Sequence, residues 1–333
     1  MSKLHDIAKR ASVSISTVSN VLNNKSSSIP VSPSTREKVL RIARELNYKP
    51  NLFARSLRTK KSNIIGVIVW DLTDPYFSSI LSGIEHVLEK SGYYLVLNNA
   101  TAQVKRERMC LERLDEISAE GALVLGIGHH REKDLFRDIA ERMKLVLVAM
   151  KASRHNISSV TVDNFKGGTL GVEYLAKQER THLVYVTAKN MTTDEEDRLS
   201  GVLRAVESQD LAHKFSIMET DVGEEGGYEA AKKVLQTLEY PASIFAMDDI
   251  TAIGCIRAIK DRKLRIPQDV AVLGFDNLSI ASFIEPRLTT IHQPRFELGE
   301  KGAQILVESI ETEGEQSVQD IVLEPQMVIR ESA

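Results

Sequence analysis

Apolar residues recur at Leu4, Ile7, Ala8 and Ala11, the i, i+3, i+4, i+7 spacing of one helix face. Ser12-Val13 interrupts that face, and Ser14 is placed to cap a second helix with Val18, Val21 and Leu22 pointing inward. Its opposite face shows Ile15, Ser16, Ser19 and Asn20. A third stripe, Val39, Ile42, Ala43 and Leu46, follows Pro33. Ser34-Thr35-Arg36-Glu37 fits a capping box for it, and Lys49-Pro50 ends it. Two short helices around a tight turn, backed by a third, read as a helix-turn-helix. The stretch PNLFARSLRTKK, residues 50–61, reads as a basic linker. Residues 51–57 can make two helical turns, too few to persist alone, so this linker is expected to fold when docked.

Beyond residue 62 the period changes. Ile64–Trp70, Tyr94–Leu97, Ala122–Leu125 and Leu145–Ala149 are apolar strand runs separated by helical stripes such as Ile80, Ile84, Val87 and Leu88. Leu183–Val186, Phe215–Met218, Ser243–Ala246 and Val270–Phe275 repeat the rhythm. Strand-helix alternation predicts an α/β body of two Rossmann-like lobes with parallel sheets, carrying a small all-α head.

Charge sharpens this division. The 333-residue chain has a formal net charge of −3, but residues 1–61 hold 13 Lys or Arg against 3 Asp or Glu. A basic head on an acidic body is a footprint of a nucleic-acid reader joined to something else. The second helix itself carries little charge, as a surface reading base edges should. Asn20 is suited to adenine and Ile15 to a thymine methyl. Leu57, between Arg55 and Arg58, has the form of a minor-groove wedge, although a plain basic tether fits equally well. Two cysteines are too few for a disulfide framework or a thiolate metal cage, and a cytoplasmic location with no metal or cofactor is expected. No signal peptide or membrane span is visible.

In parallel sheets, ligands bind beyond the carboxyl ends of the strands. Those ends lead into Asp71, Asp74, Tyr76 and Phe77; Asn98 and Asn99; Asp194 and Arg198; Asp248 and Asp249; and Asp276 and Asn277. Gln293 stands where the chain is expected to recross between lobes. Carboxylates, amides, an arginine and aromatic rings suit a polyhydroxylated ligand, whereas any single Asp here fits a helix cap equally well. Phosphate-loop, nucleophile-elbow and HExxH motifs are absent, and His129-His130 lacks a third ligand nearby. The alternatives are a sugar-processing enzyme and a stand-alone sugar-binding protein.

LHDIAKRASVSISTVSNVLN, VSPSTREKVLRIARELNYKPN and ARSL resemble the DNA-binding head and hinge helix of the lac/galactose repressor family of bacterial transcription regulators. GVIVWDLTDPYFSSILSGIE, SVTVDNFKGG, MDDITAIG, IPQDVAVLGFDN and LTTIHQPRFELGEKG resemble its periplasmic-binding-protein-like effector domain. The resemblance implies a helix-turn-helix domain at 1–49, a hinge at 50–61 and an effector and dimerisation domain at 62–333. Within the last, it implies an N-lobe of about 62–162 plus 294–322 and a C-lobe of about 163–293 plus 323–333. It implies a homodimeric repressor that binds double-stranded operator DNA under control of a small molecule, a sugar being favoured. Ile15, Ser16, Thr17, Ser19, Asn20, Asn51, Ala54, Arg55 and Leu57 are the DNA-binding positions carried over. Asp74, Tyr76, Phe77, Asn98, Arg198, Asp248, Asp276 and Gln293 are the effector-binding ones. The chain lacks the leucine-rich tail of tetrameric members after VIRESA, so a dimer is expected.

Overall fold

Helices α1 (Leu4–Ala11), α2 (Ile15–Leu22) and α3 (Pro33–Glu45) close over a core of Ile7, Ala8, Ala11, Val18, Val21, Val39, Ile42 and Ala43. They belong to the first of two units, Met1–Ser62 and Asn63–Ala333, in a computed structural model that describes residues 4–22, 31–48, 61–126, 133–151, 157–312 and 317–333. Ser12 turns the chain at φ +59°, and the Val13 amide donates back to the Ala8 carbonyl at 3.1 Å. The Ser14 hydroxyl caps α2 by accepting from the Thr17 amide at 3.1 Å. The start of α3 differs from the expected capping box. Ser32 is the cap, accepting from the Thr35 amide at 3.2 Å, and Pro33 takes the first helical position. Proline loses no helical hydrogen bond there, so the cap moves one residue before it and Ser34 lies inside the first turn.

The second unit holds two six-stranded sheets. The N-lobe sheet comprises β1 (Ile64–Val69), β2 (Tyr94–Asn99), β3 (Gly121–Leu125), β4 (Lys144–Val148), β5 (Ser158–Val162) and β11 (Asp320–Leu323), in the order β11-β5-β4-β3-β1-β2. The C-lobe sheet comprises β6 (His182–Ala188), β7 (Phe215–Thr220), β8 (Ala242–Ala246), β9 (Val270–Asp276), β10 (Thr289–His292) and β12 (Gln326–Val328), in the order β12-β10-β9-β8-β6-β7. Every pairing is parallel except that of β12 with β10. Helices α4 (Tyr76–Lys90), α5 (Val104–Glu116), α6 (Lys133–Ala140) and α11 (Arg295–Glu311) belong to the N-lobe. Helices α7 (Asn164–Ala176), α8 (Thr193–Ser208), α9 (Glu224–Val234) and α10 (Asp249–Asp261) belong to the C-lobe. The chain passes between lobes after β5, after β10 and after β11.

Three helix pairs repeat one packing device. A Cβ on Gly83 or Gly299 would overlap backbone across the α4–α11 contact; Gly168 and Gly201 do the same across α7–α8, and Gly227 and Gly254 across α9–α10. Each pair therefore approaches backbone to backbone. The eight expected strands form, and four more join them: β5, β10, β11 and β12. These four have three to five residues each and lack the long apolar run that identified the others: β5 and β10 are at least half Thr or Ser, β11 opens on Asp320 and β12 on Gln326.

Candidate functional site

The carboxyl end of β9 is the most constrained point. Asp276 takes φ +109° and Asn277 φ +53°, a backbone that L residues adopt only when neighbours hold it. The neighbours are present. Gln293 Nε2 donates to Asp276 Oδ1 at 2.6 Å, Arg295 Nη2 donates to the Asn277 carbonyl at 3.0 Å, and Arg330 Nη2 donates to Asn277 Oδ1 at 2.6 Å. Gln293 follows β10 where the chain leaves the C-lobe, so it reads both lobes: Tyr76 Oη, at the start of α4, donates to Gln293 Oε1 at 3.0 Å. Asp74 positions Tyr76 by accepting from its amide at 2.8 Å. Burial, then Asp276 and Asp194, hold the Tyr76 phenol well above its ordinary pKa, so it acts as a neutral donor.

Arg198 projects from α8 and is buried. Its Nε and Nη2 donate to Asn164 Oδ1 at 3.2 and 2.9 Å, and Nη1 donates to the Met247 carbonyl. Its guanidinium lies 3.5 Å from the centroid of the Phe275 ring. The glycine contact between α7 and α8 brings the helices bearing Asn164 and Arg198 together. Three neutral contacts thus hold one charge in a fixed plane, with N–H groups to spare.

Acids gather around it. Asp248 caps α10, accepting from the Thr251 amide at 2.6 Å. Asp249 accepts from Thr290 Oγ1 at 2.5 Å and from the Leu278 amide at 2.7 Å. Asp194 Oδ2 accepts from Thr161 Oγ1, across the lobes, at 3.3 Å. Burial pushes Asp249 up to about 7 and Asp194 up to about 6. Burial raises Asp248 too, and Asp276 well above the carboxylate range; Asp249, Asp248 and Asp74 add to the rise at Asp276 while Arg198 opposes it. Two polar atoms of this region, Asp194 Oδ1 and Arg295 Nε, are shielded from solvent and have no hydrogen-bond partner. The arrangement presents carboxylate acceptors beside guanidinium donors, the chemistry of a ligand whose groups both donate and accept.

Asp74, Tyr76, Arg198, Asp248, Asp276 and Gln293 are thus linked by hydrogen bonds or mutual electrostatics. Two expected residues stand differently. Phe77 offers no surface to a ligand: it is 2% exposed in the N-lobe core and stacks edge-on behind Tyr76 at 5.3 Å. Asn98 is half-buried on edge strand β2, and its Nδ2 donates to the Val96 carbonyl at 3.3 Å. Asn164, Thr161, Phe275, Thr290 and Arg295 were not foreseen. Asn164 and Thr161 had a signal in SSVTVDN, a strand-to-helix junction like the others, hidden by its serine and threonine content.

On the head, Ile15 is 49% exposed, Ser16 is exposed, and Thr17 and Asn20 are half-buried on α2. Ser19 is corrected: at 5% exposure it belongs with the packed side of α2 and offers no reading surface. Asn51, Ala54, Arg55 and Leu57, like His129 and His130, lie outside the described residues. Among the described residues no cluster of three His, Cys, Asp or Glu suits a metal ion, and no helix is long and apolar enough to cross a membrane.

Comparison with known proteins covers both units. Residues 3–51 match the model for bacterial regulatory proteins of the lacI family, and residues 172–333 match the periplasmic binding protein-like domain. The ribose operon repressor of Haemophilus influenzae is 31% identical over all of this chain and 98% of its own. The HTH-type transcriptional repressor PurR of Pasteurella multocida is also 31% identical, over 100% of this chain and 98% of its own. The crystal structure of the lac repressor dimer bound to operator and the anti-inducer ONPF superposes with a TM-score of 0.89 at 25% identity, covering 99% of this chain and 98% of that one.

Proposed function

Because the chain belongs to the lacI family of bacterial regulatory proteins, we propose that it is a transcriptional repressor whose grip on an operator is set by a sugar bound between its lobes. It acts as a homodimer, each head placing α2 in a major groove, with Ile15, Ser16, Thr17 and Asn20 toward the bases. Residues 50–61 serve as the hinge, with Asn51, Ala54, Arg55 and Leu57 at the minor groove. The observation that carries the ligand half of this reading is the Tyr76–Gln293–Asp276 relay beside Arg198, which joins both lobes at the ends of their strands. A ligand exchanging bonds with that relay favours one lobe angle over another. A coupling of about 1–3 kcal/mol is enough to switch occupancy at an operator. The ribose operon repressor among the relatives, and a cleft rich in hydroxyl-pairing groups, favour a sugar over a purine.

Fluorescence anisotropy with promoter fragments tests this reading. The full chain is expected to bind with an affinity that a sugar changes, and a chain lacking residues 1–60 is expected to keep sugar binding and lose DNA. DNA binding that survives the deletion overturns the head assignment. Turnover of any sugar revives the enzyme alternative.

A further inference from the structure

We propose that the cleft admits only polyhydroxylated ligands bearing no anionic group, and that Asp194 enforces this selection; the proposal rests on the sugar-sensing reading and narrows it. The charges come from every element around the cleft. Asp74 stands before α4, Asp194 and Arg198 on α8, Asp248 and Asp249 at the start of α10, Asp276 at the end of β9, and Arg295 at the start of α11. Lys151 is already paired with Asp197. Five acidic side chains therefore stand near two guanidiniums, Asp276 and Asp249 being the two that burial holds highest, and the hydrogen bonds both guanidiniums make go to neutral acceptors: Asn164 and the Met247 carbonyl for Arg198, the Asn277 carbonyl for Arg295. Near neutral pH Asp74 and Asp194, raised to about 6, stay mostly ionised, so a phosphate entering this site meets acids of its own sign in a partly desolvated space. A hydroxyl has the opposite effect, since it donates to a carboxylate and accepts from a guanidinium N–H.

Asp194 makes that demand specific. One of its oxygens accepts from Thr161, while Oδ1 is shut off from solvent without a partner. The carboxylate reaches Thr161 of the other lobe, so it stands on the face of α8 that meets the N-lobe, with Arg198 and Tyr76 within electrostatic reach. With its pKa raised to about 6, it remains mostly ionised near neutral pH and can only accept. A ligand donor reaching Oδ1 removes the cost of an unpaired buried acceptor, whereas an anionic oxygen there sets acceptor against acceptor. Arg295 Nε, equally unpartnered, is the complementary donor for a ring or hydroxyl oxygen.

Calorimetric titration of the full chain near neutral pH, with ribose, galactose, glucose, their phosphate monoesters and hypoxanthine as probes, tests this. At least one neutral sugar is expected to bind, with its ester weaker by about a hundredfold or more. Asp194→Asn and Asp194→Ala are expected to lower affinity for that sugar about tenfold or more while operator binding and unliganded Tm stay near wild type. An ester that binds as tightly as its parent sugar overturns the selection. Unchanged sugar affinity in both Asp194 variants overturns the role of Asp194. Binding of hypoxanthine with no sugar overturns the sugar-sensing reading itself, and the proposal with it.

Discussion

Arg198 shows how much a single side chain depends on neutral partners. Its plane is set by two bonds to one amide oxygen, one to a carbonyl and a stacked ring, and lysine reproduces none of that fork. Arg198→Lys is therefore expected to weaken effector binding about tenfold or more, read by calorimetry, with DNA binding by the head preserved. Asp249 makes a different prediction. Its carboxyl is raised from 3.8 to about 7, so between those values the folded chain holds a proton that the unfolded chain has released. Stability then falls as pH rises from about 3.8 to about 7 and levels off above it, so moving from about pH 8 to about pH 6 adds stability on the order of 1 kcal/mol. Acids held low, such as Asp269 at about 2 beside Arg265, withdraw their contribution only at much lower pH. The thermal midpoint of the unliganded protein should therefore rise across that interval, and in Asp249→Asn the rise should shrink. Asp276 was singled out from sequence because it closes the apolar run of β9, and Gln293 because it stands where the chain was expected to recross between lobes. Tyr76 and Phe77 were not separable: adjacent helical residues point about 100° apart, and only the N-lobe core decides which of the two is swallowed. Ser19 failed for the same reason on α2, where it lies beside Val18 against the head's core.

At the scale of elements, the reciprocal glycines are the structural device with the clearest consequence. A methyl group on Gly201 would overlap the Phe165 carbonyl, and one on Gly168 would overlap the Arg198 carbonyl. Gly201→Ala must push α8 off α7, at a cost of about 3 kcal/mol, and a fall in Tm of about 6 °C or more is expected by calorimetry. The same displacement separates Arg198 from Asn164, so sugar affinity should drop even where the variant remains folded. The alternation of strands and helices could be read from the apolar runs, and the eight strands so identified are present. The four missed strands have three to five residues each, and β5 and β10 are at least half Thr or Ser, so composition alone gave them no long apolar signature. Three of them, β10, β11 and β12, belong to the recrossing segments; β11 pairs with β5 about 160 residues away and β12 with β10 about 35 residues away, beyond the reach of a local window.

Over the whole molecule, charge is divided as function is. Residues 1–61 hold 13 Lys or Arg against 3 Asp or Glu, while the chain as a whole is at −3. A dimer that neutralises about six or more phosphates is expected to lose roughly a thousandfold in operator affinity between about 50 and about 200 mM salt. Sugar binding, which exchanges hydrogen bonds without releasing counterions, should change little over the same range. Measuring both on one preparation separates the two activities.

The late return of α11 and β11 to the first lobe has a consequence during synthesis. Leu298, Ala303, Ile305, Leu306 and Val307 complete the N-lobe core, and β11 covers the outer edge of β5. A nascent chain halted before about residue 295 has translated the whole first lobe up to β5 yet cannot seal it, so its β5 edge and the apolar side of α4 stay bare on the ribosome. Translation of residues 295–333 thus decides when both lobes become native, and until then the chain exposes apolar surface of the kind chaperones bind.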